Sequence, residues 1–236
     1  MSRILITGAS RGLGRALVPA LRGRGHQVIA TARNLSDLDD LDADIKLSLD
    51  VTSAESVDNA VAECGVPDVV INNAAYSVAG PLEAVETDAF ERLLNINLLG
   101  PHRLIAALMP GMRKRGSGLI VNISSGTARG APPLQGAYAV SKAALNLYSQ
   151  ALRMEVAPFG VRVLSIEPPG MNTDLVGAQP TYSRAGYEAY ERRGAEMKAQ
   201  RPGVDVDRVA RKIAFAISEE PFSEHIGAAE FLVQTH

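Results

Sequence analysis

The sequence predicts an α/β fold with one doubly wound parallel sheet of about seven strands and helices on both faces. Short apolar, β-branched runs alternate with helical stretches along the whole chain, and this alternation requires crossover connections between parallel strands. The 236 residues are 46% hydrophobic and 21% charged, which suits a single domain over residues 1–236. No internal repeat or low-complexity stretch interrupts the pattern.

The composition argues against several kinds of partner. A formal net charge of -2 and a pI near 6.1 leave no basic field for nucleic acid or an anionic membrane. The single Cys64 cannot form an internal disulfide, and no cysteine or histidine cluster has metal-ligand spacing. The chain enters a strand without a signal-peptide pattern, and no apolar run approaches the ~20 residues of a membrane span. We therefore expect a cytoplasmic protein without metal, nucleic acid or membrane partners.

The first strand, Arg3–Thr7, runs into a glycine-rich turn, Gly8–Gly14, which opens a helix that ends near Gly23 or Gly25. Glycines allow positive φ and let the backbone approach a pyrophosphate, while the helix N-terminus offers N–H donors and a favourable dipole. The order of strand, turn and helix favours a dinucleotide site, although a tight βα connection would use the same residues.

The end of the second strand indicates which dinucleotide is bound. Residues 27–32 form this strand, and Arg33 follows where an NAD-binding fold usually has a carboxylate for the ribose 2′-hydroxyl. Arg33 and the turn residue Arg11 could instead bind a 2′-phosphate, for which guanidinium geometry is suited. Each arginine could also be a solvated surface side chain, but the two positions together favour NADP(H).

Polar and small residues follow the next two strands. The third strand, residues 45–49, ends at Asp50 and Val51, and the fourth, residues 69–71, ends in Asn72–Ala75. Ligands of open α/β sheets collect at the carboxyl ends of strands, so these residues are candidates for cofactor contact. An Asx turn would explain the asparagines equally well.

Two helices are predicted between the strands on this side. Ser53 is expected to cap a helix at about 54–64. A longer helix at 89–112, with a break at Gly100–Pro101, has little polar surface and predicts a subunit interface. Within it Asn97 is a polar residue in apolar company, which would need hydrogen-bond partners if buried.

The central stretch carries the candidate catalytic groups. A strand at 119–123 ends at Ser124 and Ser125, and after a glycine- and proline-rich loop a helix begins at Tyr138. Residues four apart share a helix face, so Lys142 should lie beside Tyr138. Its charge would lower the pKa of the phenol, and Ser125 could donate a hydrogen bond to a substrate oxygen. Taken alone, such a pair is more often an ordinary surface pair.

The last part of the chain completes the sheet and adds a cover. A sixth strand is predicted at 161–166, a helix at 205–218 and a closing strand at 228–233. The segment 174–203 carries tyrosines among alternating charges, and we expect it to fold over the site as a mobile substrate lid.

In this order and spacing the chain resembles the short-chain dehydrogenase/reductase family over essentially its whole length. The resemblance rests on Thr7-Gly8-xxx-Gly12-x-Gly14, Asn72-Asn73-Ala74, Asn97, Ser125 and Tyr138-xxx-Lys142. Each fragment is weak alone, but the combination is specific. The stretches 108–112, 122–125 and 157–163 look most like members that act on steroid, retinoid and related apolar ketones and alcohols. Ser125, thirteen residues before Tyr138, is preferred over Ser124 as the catalytic serine.

The resemblance implies a Rossmann-type fold and hydride transfer between NADP(H) and a ketone, aldehyde or alcohol. Tyr138 would exchange the proton, Ser125 would hold the substrate oxygen, and Lys142 would bind the nicotinamide ribose and lower the pKa of the phenol. Asn97 would hold a water in the proton relay. Cofactor contacts would come from Gly8, Ser10, Arg11, Gly12, Leu13, Gly14, Arg33, Asp50, Val51, Asn73, Ala74, Ala75, Tyr138, Lys142, Pro168, Gly170 and Thr173.

Two positions depart from the family pattern. Ala75 replaces the glycine usual after Asn-Asn-Ala, which is a mild change. The run Pro-Pro-Gly-Met-Asn-Thr at 168–173 has either a proline in the glycine position or one residue fewer before Thr173. The nicotinamide contacts are therefore the least defined part of the predicted site.

The leading hypothesis is an NADPH-dependent carbonyl reductase, or alcohol dehydrogenase in reverse, that acts on a largely apolar small molecule. Its apolar walls would come from Pro132, Leu134, Met171, Tyr182 and Tyr187. A catalytically silent NADP(H)-binding redox sensor would not need the whole catalytic set. An epimerase or dehydratase on sugar nucleotides usually spaces its glycines as GxxGxxG and has a longer substrate domain. The apolar helices and the family likeness together predict a homodimer or homotetramer.

Overall fold

Seven parallel strands form one sheet in a computed structural model that describes residues 1–171, 179–200, 203–218 and 225–227, with the backbone alone for 197–200. Their order is β3-β2-β1-β4-β5-β6-β7. The strands are β1 Arg3–Ile6, β2 Gln27–Ala32, β3 Ile45–Ser48, β4 Val69–Asn72, β5 Gly118–Ile123, β6 Val161–Ile166 and β7 His225–Ile226. The predicted fold class, a doubly wound parallel sheet, is confirmed.

The strand order reverses at β1, which pairs with β2 on one side and with β4 on the other. Leu5 at its centre lies beside Ile29 of β2 and Val70 of β4. Chains that leave two neighbouring strands in opposite directions open a crevice at the carboxyl ends of those strands. The topology therefore places a ligand crevice where the glycine-rich turn and Asn73 follow β1 and β4.

Helices cover both faces of the sheet, so the hydrophobic core has two layers. The described helices are α1 Gly12–Arg22, α2 Ala54–Cys64, α3 Thr87–Leu94, α4 Gly100–Arg115, α5 Thr127–Gly130, α6 Gly136–Val156, α7 Glu188–Gln200 and α8 Val206–Ser218. Leu17 of α1 and Ile213 of α8 pack in one layer, while Val57 of α2 and Leu104 of α4 pack in the other. Strands buried on both faces explain the nearly continuous apolar runs in the sequence.

The long helix predicted at 89–112 is two helices joined by a π-helical turn, Asn95–Leu99. The Gly100 N–H donates to the Asn95 carbonyl, five residues back. Pro101 follows within the same helical run and has no N–H to donate to the preceding turn, which is a physical reason for the widened hydrogen-bonding pattern there. The predicted break at Gly100–Pro101 is therefore a widened turn, and widened turns often mark functional sites.

Other boundaries agree with the predictions or shift slightly. Ser53 caps α2 as predicted, since the Ser56 N–H donates to its Oγ at 3.2 Å. Helix α6 begins at Gly136, before Tyr138, and the short α5 within the preceding loop was not predicted. The strand expected at 228–233 lies outside the described residues, whereas β7 pairs with β6 just before it.

The predicted lid is described only in part. Residues 174–178 and 201–202 lie outside the described ranges, and the rest contains α7. The Tyr182 N–H donates to the Ala79 carbonyl at 2.8 Å, which joins this segment to the chain after β4. Of the described helices, none combines the length and apolar character needed to cross a membrane.

Candidate active site

A cleft of about 940 Å³ opens where the residues that follow six of the strands converge. Sixteen of the predicted site residues line it, namely Gly8, Ser10, Arg11, Gly12, Leu13, Arg33, Asp50, Val51, Asn73, Ala74, Ala75, Ser125, Tyr138, Lys142, Pro168 and Gly170. Gly14 and Asn97 lie behind its wall, and Thr173 lies outside the described residues. The fold thus brings almost all of the predicted residues together.

The glycines of the turn between β1 and α1 allow the backbone segments that line the cleft to pack closely together. Gly8 has φ +68°, and a Cβ there would lie 2.9 Å from the Cα of Ala74. A Cβ on Gly14 would lie 2.3 Å from the Gly8 carbonyl oxygen. Gly12 has φ 56°, a conformation that favours glycine. The first turn of α1 has no acidic residue, and its N-cap, Arg11, makes no side-chain cap. This turn fits a pyrophosphate bound at a helix N-terminus.

Asn73 holds the glycine-rich turn in place. Its Nδ2 donates to the carbonyl oxygens of Thr7 at 2.9 Å and Gly8 at 3.2 Å, and its backbone N–H donates to Thr7 Oγ1 at 3.0 Å. The Ala74 N–H also donates to Thr7 Oγ1, at 2.9 Å. The asparagine side chain therefore supports the wall of the cleft from behind, and its predicted contact with the cofactor stays a prediction.

Arg11 and Arg33 are exposed at one end of the cleft. Among the described residues, neither guanidinium makes a hydrogen bond or an ion pair. Burial raises the pKa of Asp50, but hydrogen bonds from Thr52 and the charges of Arg33 and Arg103 outweigh it and leave this pKa below its usual value. The Asp50 carboxylate accepts its hydrogen bonds from the N–H and the hydroxyl of Thr52. The two guanidinium groups are therefore available to an anionic ligand.

The candidate catalytic groups meet at the carboxyl end of β5. The Ser125 hydroxyl lies close enough to the Tyr138 phenol to lower the pKa of that group. The Lys142 Nζ lies 5.7 Å from the centroid of the Tyr138 ring and donates to the Ile123 carbonyl at 2.8 Å. Thr127 donates to Ser125 Oγ twice, from its N–H at 3.2 Å and its hydroxyl at 3.0 Å. The phenol and both partners that the sequence predicted therefore lie together in the cleft.

The protonation of this pair differs from the expectation. Burial raises the pKa of Tyr138 to about 12, and the nearby Ser125 hydroxyl opposes that shift. Burial also lowers the pKa of Lys142 to about 8. The prediction that Lys142 makes the phenol acidic is wrong for the protein in this structure, because loss of water disfavours the charged form of both groups.

Ser124 and Ser125 point to different places. Ser124 is buried, and its Oγ donates to the Lys142 carbonyl at 3.1 Å. Ser125 is half-buried and faces the phenol across the cleft. This geometry supports the choice of Ser125 over its neighbour as the residue that holds a substrate oxygen.

Asn97 in the π turn is fully buried and has three hydrogen bonds. Its Oδ1 accepts from the Tyr76 N–H at 2.8 Å, and its Nδ2 donates to the Tyr76 carbonyl at 2.8 Å and to Ser141 Oγ at 3.0 Å. Ser141 in turn donates to the Tyr138 carbonyl at 2.7 Å. The side chain ties the segment after β4 to the start of α6, and the predicted role with a relay water stays a prediction.

Comparison with known protein families identifies the family of this chain. Residues 2–182, well over half of the chain, match the family model described as short chain dehydrogenase. The chain belongs to the short-chain dehydrogenase family. Members of this family are oxidoreductases, and the predicted family membership is confirmed.

Relatives of this short-chain dehydrogenase include two reductases. It is 38% identical over 174 residues to a 3-ketodihydrosphingosine reductase from Bacteroides thetaiotaomicron, an alignment that spans 72% of this chain and 64% of that protein. It is 34% identical to an NADPH-dependent pterin aldehyde reductase from Arabidopsis thaliana, over 79% of this chain and 81% of the relative. The crystal structure of a short-chain dehydrogenase from Streptomyces avermitilis is also similar, with 38% sequence identity and a TM-score of 0.84. The match covers 98% of this chain and 90% of the chain in that structure.

The substrate end of the cleft has a wall that sequence reasoning only partly found. Pro132 and Met171 line the cleft as predicted, whereas Leu134, Tyr182 and Tyr187 do not. Polar residues that were not predicted also line it, namely Ser77, Thr127, Gln135 and Gln179. Ser77 Oγ donates to Gln179 Oε1 at 2.6 Å, so these two side chains meet across the cleft mouth. Of these four residues, only Thr127 could have been found from the sequence, because it follows the predicted catalytic serine, Ser125, by two residues.

Proposed function

We propose that this short-chain dehydrogenase is an NADPH-dependent oxidoreductase that interconverts a ketone or aldehyde and an alcohol. The observation that carries the proposal is that Ser125, Tyr138 and Lys142 line one cleft. The serine hydroxyl is close enough to the phenol to affect its pKa, and the Nζ of the buried Lys142 lies 5.7 Å from the centroid of the phenol ring. Two hydroxyl groups directed at one point in a cleft can bind the oxygen of a carbonyl group. One of them can then transfer a proton to that oxygen.

The cofactor proposed for this site is NADP(H). When bound, NADPH supplies a hydride to the carbonyl carbon. The glycine-rich turn would hold the pyrophosphate, Arg11 and Arg33 the 2′-phosphate, and Lys142 the nicotinamide ribose. The preference over NAD(H) is supported by the two exposed guanidinium groups and by the NADPH-dependent relative in Arabidopsis.

Tyr138 is the proposed proton donor for the substrate oxygen. With a pKa of about 12, the phenol is protonated at neutral pH and can donate. Ser125 donates a hydrogen bond to the same oxygen and stabilises the charge that develops on it. Lys142, whose pKa is about 8, is mostly cationic at neutral pH and would hold the nicotinamide ribose beside the phenol. The reverse reaction uses the same groups in the opposite order.

The proposed substrate is a largely apolar small molecule. Pro132 and Met171 supply apolar wall, and Thr127 and Gln135 supply neutral hydrogen-bonding groups near the reacting oxygen. We also propose that residues 174–203 close over this end as a substrate lid. The whole chain would then be one catalytic domain.

We propose in addition that the protein is a homodimer or homotetramer. Helix α6 has three exposed large apolar side chains, with exposed fractions of 46% for Val140, 68% for Leu147 and 74% for Met154. An exposed apolar stripe along one helix is typical of an interface between copies of a chain. Sedimentation of the purified protein, compared with a Leu147→Glu variant, would test the proposed interface.

The function can be tested with a panel of ketones and aldehydes and the loss of reduced-nicotinamide absorbance as the readout. The proposal predicts turnover with NADPH for some apolar carbonyl compounds, with NADH much less effective. Tight binding of NADPH without turnover of any panel member would instead favour a silent redox sensor. Failure to bind either nucleotide would contradict the proposal altogether.

A further inference from the structure

A buried carboxylate that the proposed reaction does not use lies at the carboxyl end of β6. Glu167 is 2% exposed and precedes Pro168 of the cleft. The Arg129 Nε donates to its Oε2 at 2.5 Å, and the Asn146 Nδ2 donates to its Oε1 at 2.7 Å. The His225 Nε2 lies 3.5 Å from Oε2. One side chain therefore joins α5, α6 and β7 to the end of β6.

The partners of Glu167 belong to the elements that carry the catalytic groups. Arg129 lies in α5, whose first residue, Thr127, donates to Ser125. Asn146 follows Lys142 by four residues in α6, so the two share a helix face. The Ser165 hydroxyl donates to the Asn146 Oδ1 at 2.9 Å, which fixes the amide with its Nδ2 toward the carboxylate.

The loop that carries Ser125 is joined to the end of β6 by two backbone bonds and one side-chain contact. The Ser124 N–H donates to the Ile166 carbonyl at 2.7 Å, and the Gly126 N–H donates to the Pro168 carbonyl at 3.0 Å. Both bonds lie before α5, a short helix with no buried residue. The contact between Arg129 and Glu167 is a side-chain link that reaches α5 itself, beyond the two backbone bonds.

We propose that Glu167 is a positioning residue that sets the distance between Ser125 on its loop and Tyr138 on α6. It acts through Arg129 on one side and through Asn146 on the other. This inference rests on the proposed function, because it assigns a purpose to the hydroxyl pair of that site. A displacement of about 1 Å in a catalytic group can reduce the rate about a hundredfold, so a rigid carboxylate bridge between the two elements has a measurable effect.

The test uses Arg129, because its side chain is 64% exposed and does not line the cleft. Arg129→Met removes the bridge to the loop, and Arg129→Lys keeps a cation that can reach the carboxylate. Arg22→Met is the matched control, since Arg22 pairs with Asp42 and Asp44 away from the cleft. The wild-type protein and these variants are assayed with a substrate from the carbonyl panel.

For Arg129→Met we expect kcat to fall about tenfold to a hundredfold while KM and the Kd for NADPH change by less than about twofold. Arg129→Lys should recover part of the lost kcat, and Arg22→Met should match the wild type. Glu167→Gln, which keeps the hydrogen bond from Asn146 but loses the charge, should fall between the two arginine variants. A kcat for Arg129→Met equal to that of Arg22→Met would overturn the inference and leave the proposed function intact.

Amide hydrogen exchange gives a readout that does not need turnover. In Arg129→Met, a peptide covering residues 124–131 should exchange faster than in the wild type, while peptides from β1 to β3 should not change. If the wild type reduces no carbonyl compound, the proposed function fails and the exchange data alone decide the inference. Unchanged exchange at 124–131 would overturn it in either case.

Discussion

The two ends of the cleft are built in different ways. At the end formed by β1 and β4, backbone shape makes the site, because Gly8, Gly14 and Asn73 leave no room for further atoms. At the end formed by β5 and β6, side chains make the site, and hydrogen bonds from neighbouring residues, such as those from Thr127 to Ser125, hold them in place. We refer to these as the cofactor end and the catalytic end.

This difference determines how each end should respond to mutation. A backbone site fails when an atom is added, since the backbone cannot move aside. A site made of hydrogen-bonded side chains fails when a partner is removed, and the cost depends on which groups lose their geometry. The predictions below change one end at a time and ask whether the other end keeps its function.

The largest effect is expected for Ser125→Ala at the catalytic end. Loss of the hydroxyl that stabilises charge on the substrate oxygen should lower kcat about a hundredfold to a thousandfold, with little change in the Kd for NADPH. Ser124→Ala is the matched control, because that hydroxyl faces the Lys142 carbonyl inside the protein. Steady-state kinetics that show equal losses for both variants would mean that the serine assignment is wrong.

The cofactor end should respond to an added methyl group. In Gly14→Ala the new Cβ would lie 2.3 Å from the Gly8 carbonyl oxygen and 2.5 Å from Asn73 Nδ2. We expect the turn to shift and the Kd for NADPH to rise about a hundredfold. Gly111→Ala creates a similar clash, 2.3 Å from a methyl carbon of Val66, but away from the cleft. Gly111→Ala should destabilise the protein without raising the Kd of the folded protein for NADPH. Fluorescence titration can measure this Kd.

Burial of Lys142 predicts a pH dependence of stability. Its folded pKa of about 8 lies below the value of 10.5 expected for a solvated lysine, so between these values the unfolded chain binds the extra proton. Stability should therefore rise with pH in this window. Between about pH 8 and about pH 10 the free energy of unfolding of the wild type should rise by about 2 kcal/mol relative to Lys142→Met.

Urea denaturation at several pH values measures this difference. The range stays below about pH 10 because Tyr138, with its raised pKa, has the opposite effect above it. Parallel stability curves for the wild type and Lys142→Met would show that the lysine is better solvated than the structure indicates.

A smaller effect is expected for Arg33→Ala. Loss of a guanidinium that binds the 2′-phosphate should weaken the binding of NADPH about tenfold to a hundredfold and leave the affinity for NADH nearly unchanged. Arg15→Ala is a useful control, because Arg15 pairs with Asp40 and does not line the cleft. Equal losses for both cofactors in Arg33→Ala would mean that this arginine does not distinguish the phosphate.

Sequence reasoning was most accurate where local rules decide the structure. Strands β1 to β6 were found because buried parallel strands are nearly continuous apolar runs, and Ser53 was found because a capping side chain acts within three residues. The glycine-rich turn was found for the same reason, since its φ values belong to single residues.

What the sequence could not predict depends on contacts between distant residues. Gly100–Pro101 indicated a break in the helix, but not the contacts of Asn97 in the π turn, because its partners Tyr76 and Ser141 lie 21 and 44 residues away. The pKa of Tyr138 was predicted in the wrong direction, because spacing indicated a nearby charge but not the loss of water around it. Glu167 was overlooked since its partner Arg129 is 38 residues distant along the chain.

The central claim is that the Tyr138 phenol delivers the proton to the substrate oxygen, and Tyr138→Phe tests it most directly. Turnover of a carbonyl substrate and the Kd for NADPH are measured together, with Tyr148→Phe, further along the same helix, as the control. We predict that Tyr138→Phe loses at least about a hundredfold in kcat and keeps its affinity for NADPH, while Tyr148→Phe keeps both. Wild-type turnover in Tyr138→Phe would show that the proton comes from another group and would contradict the account.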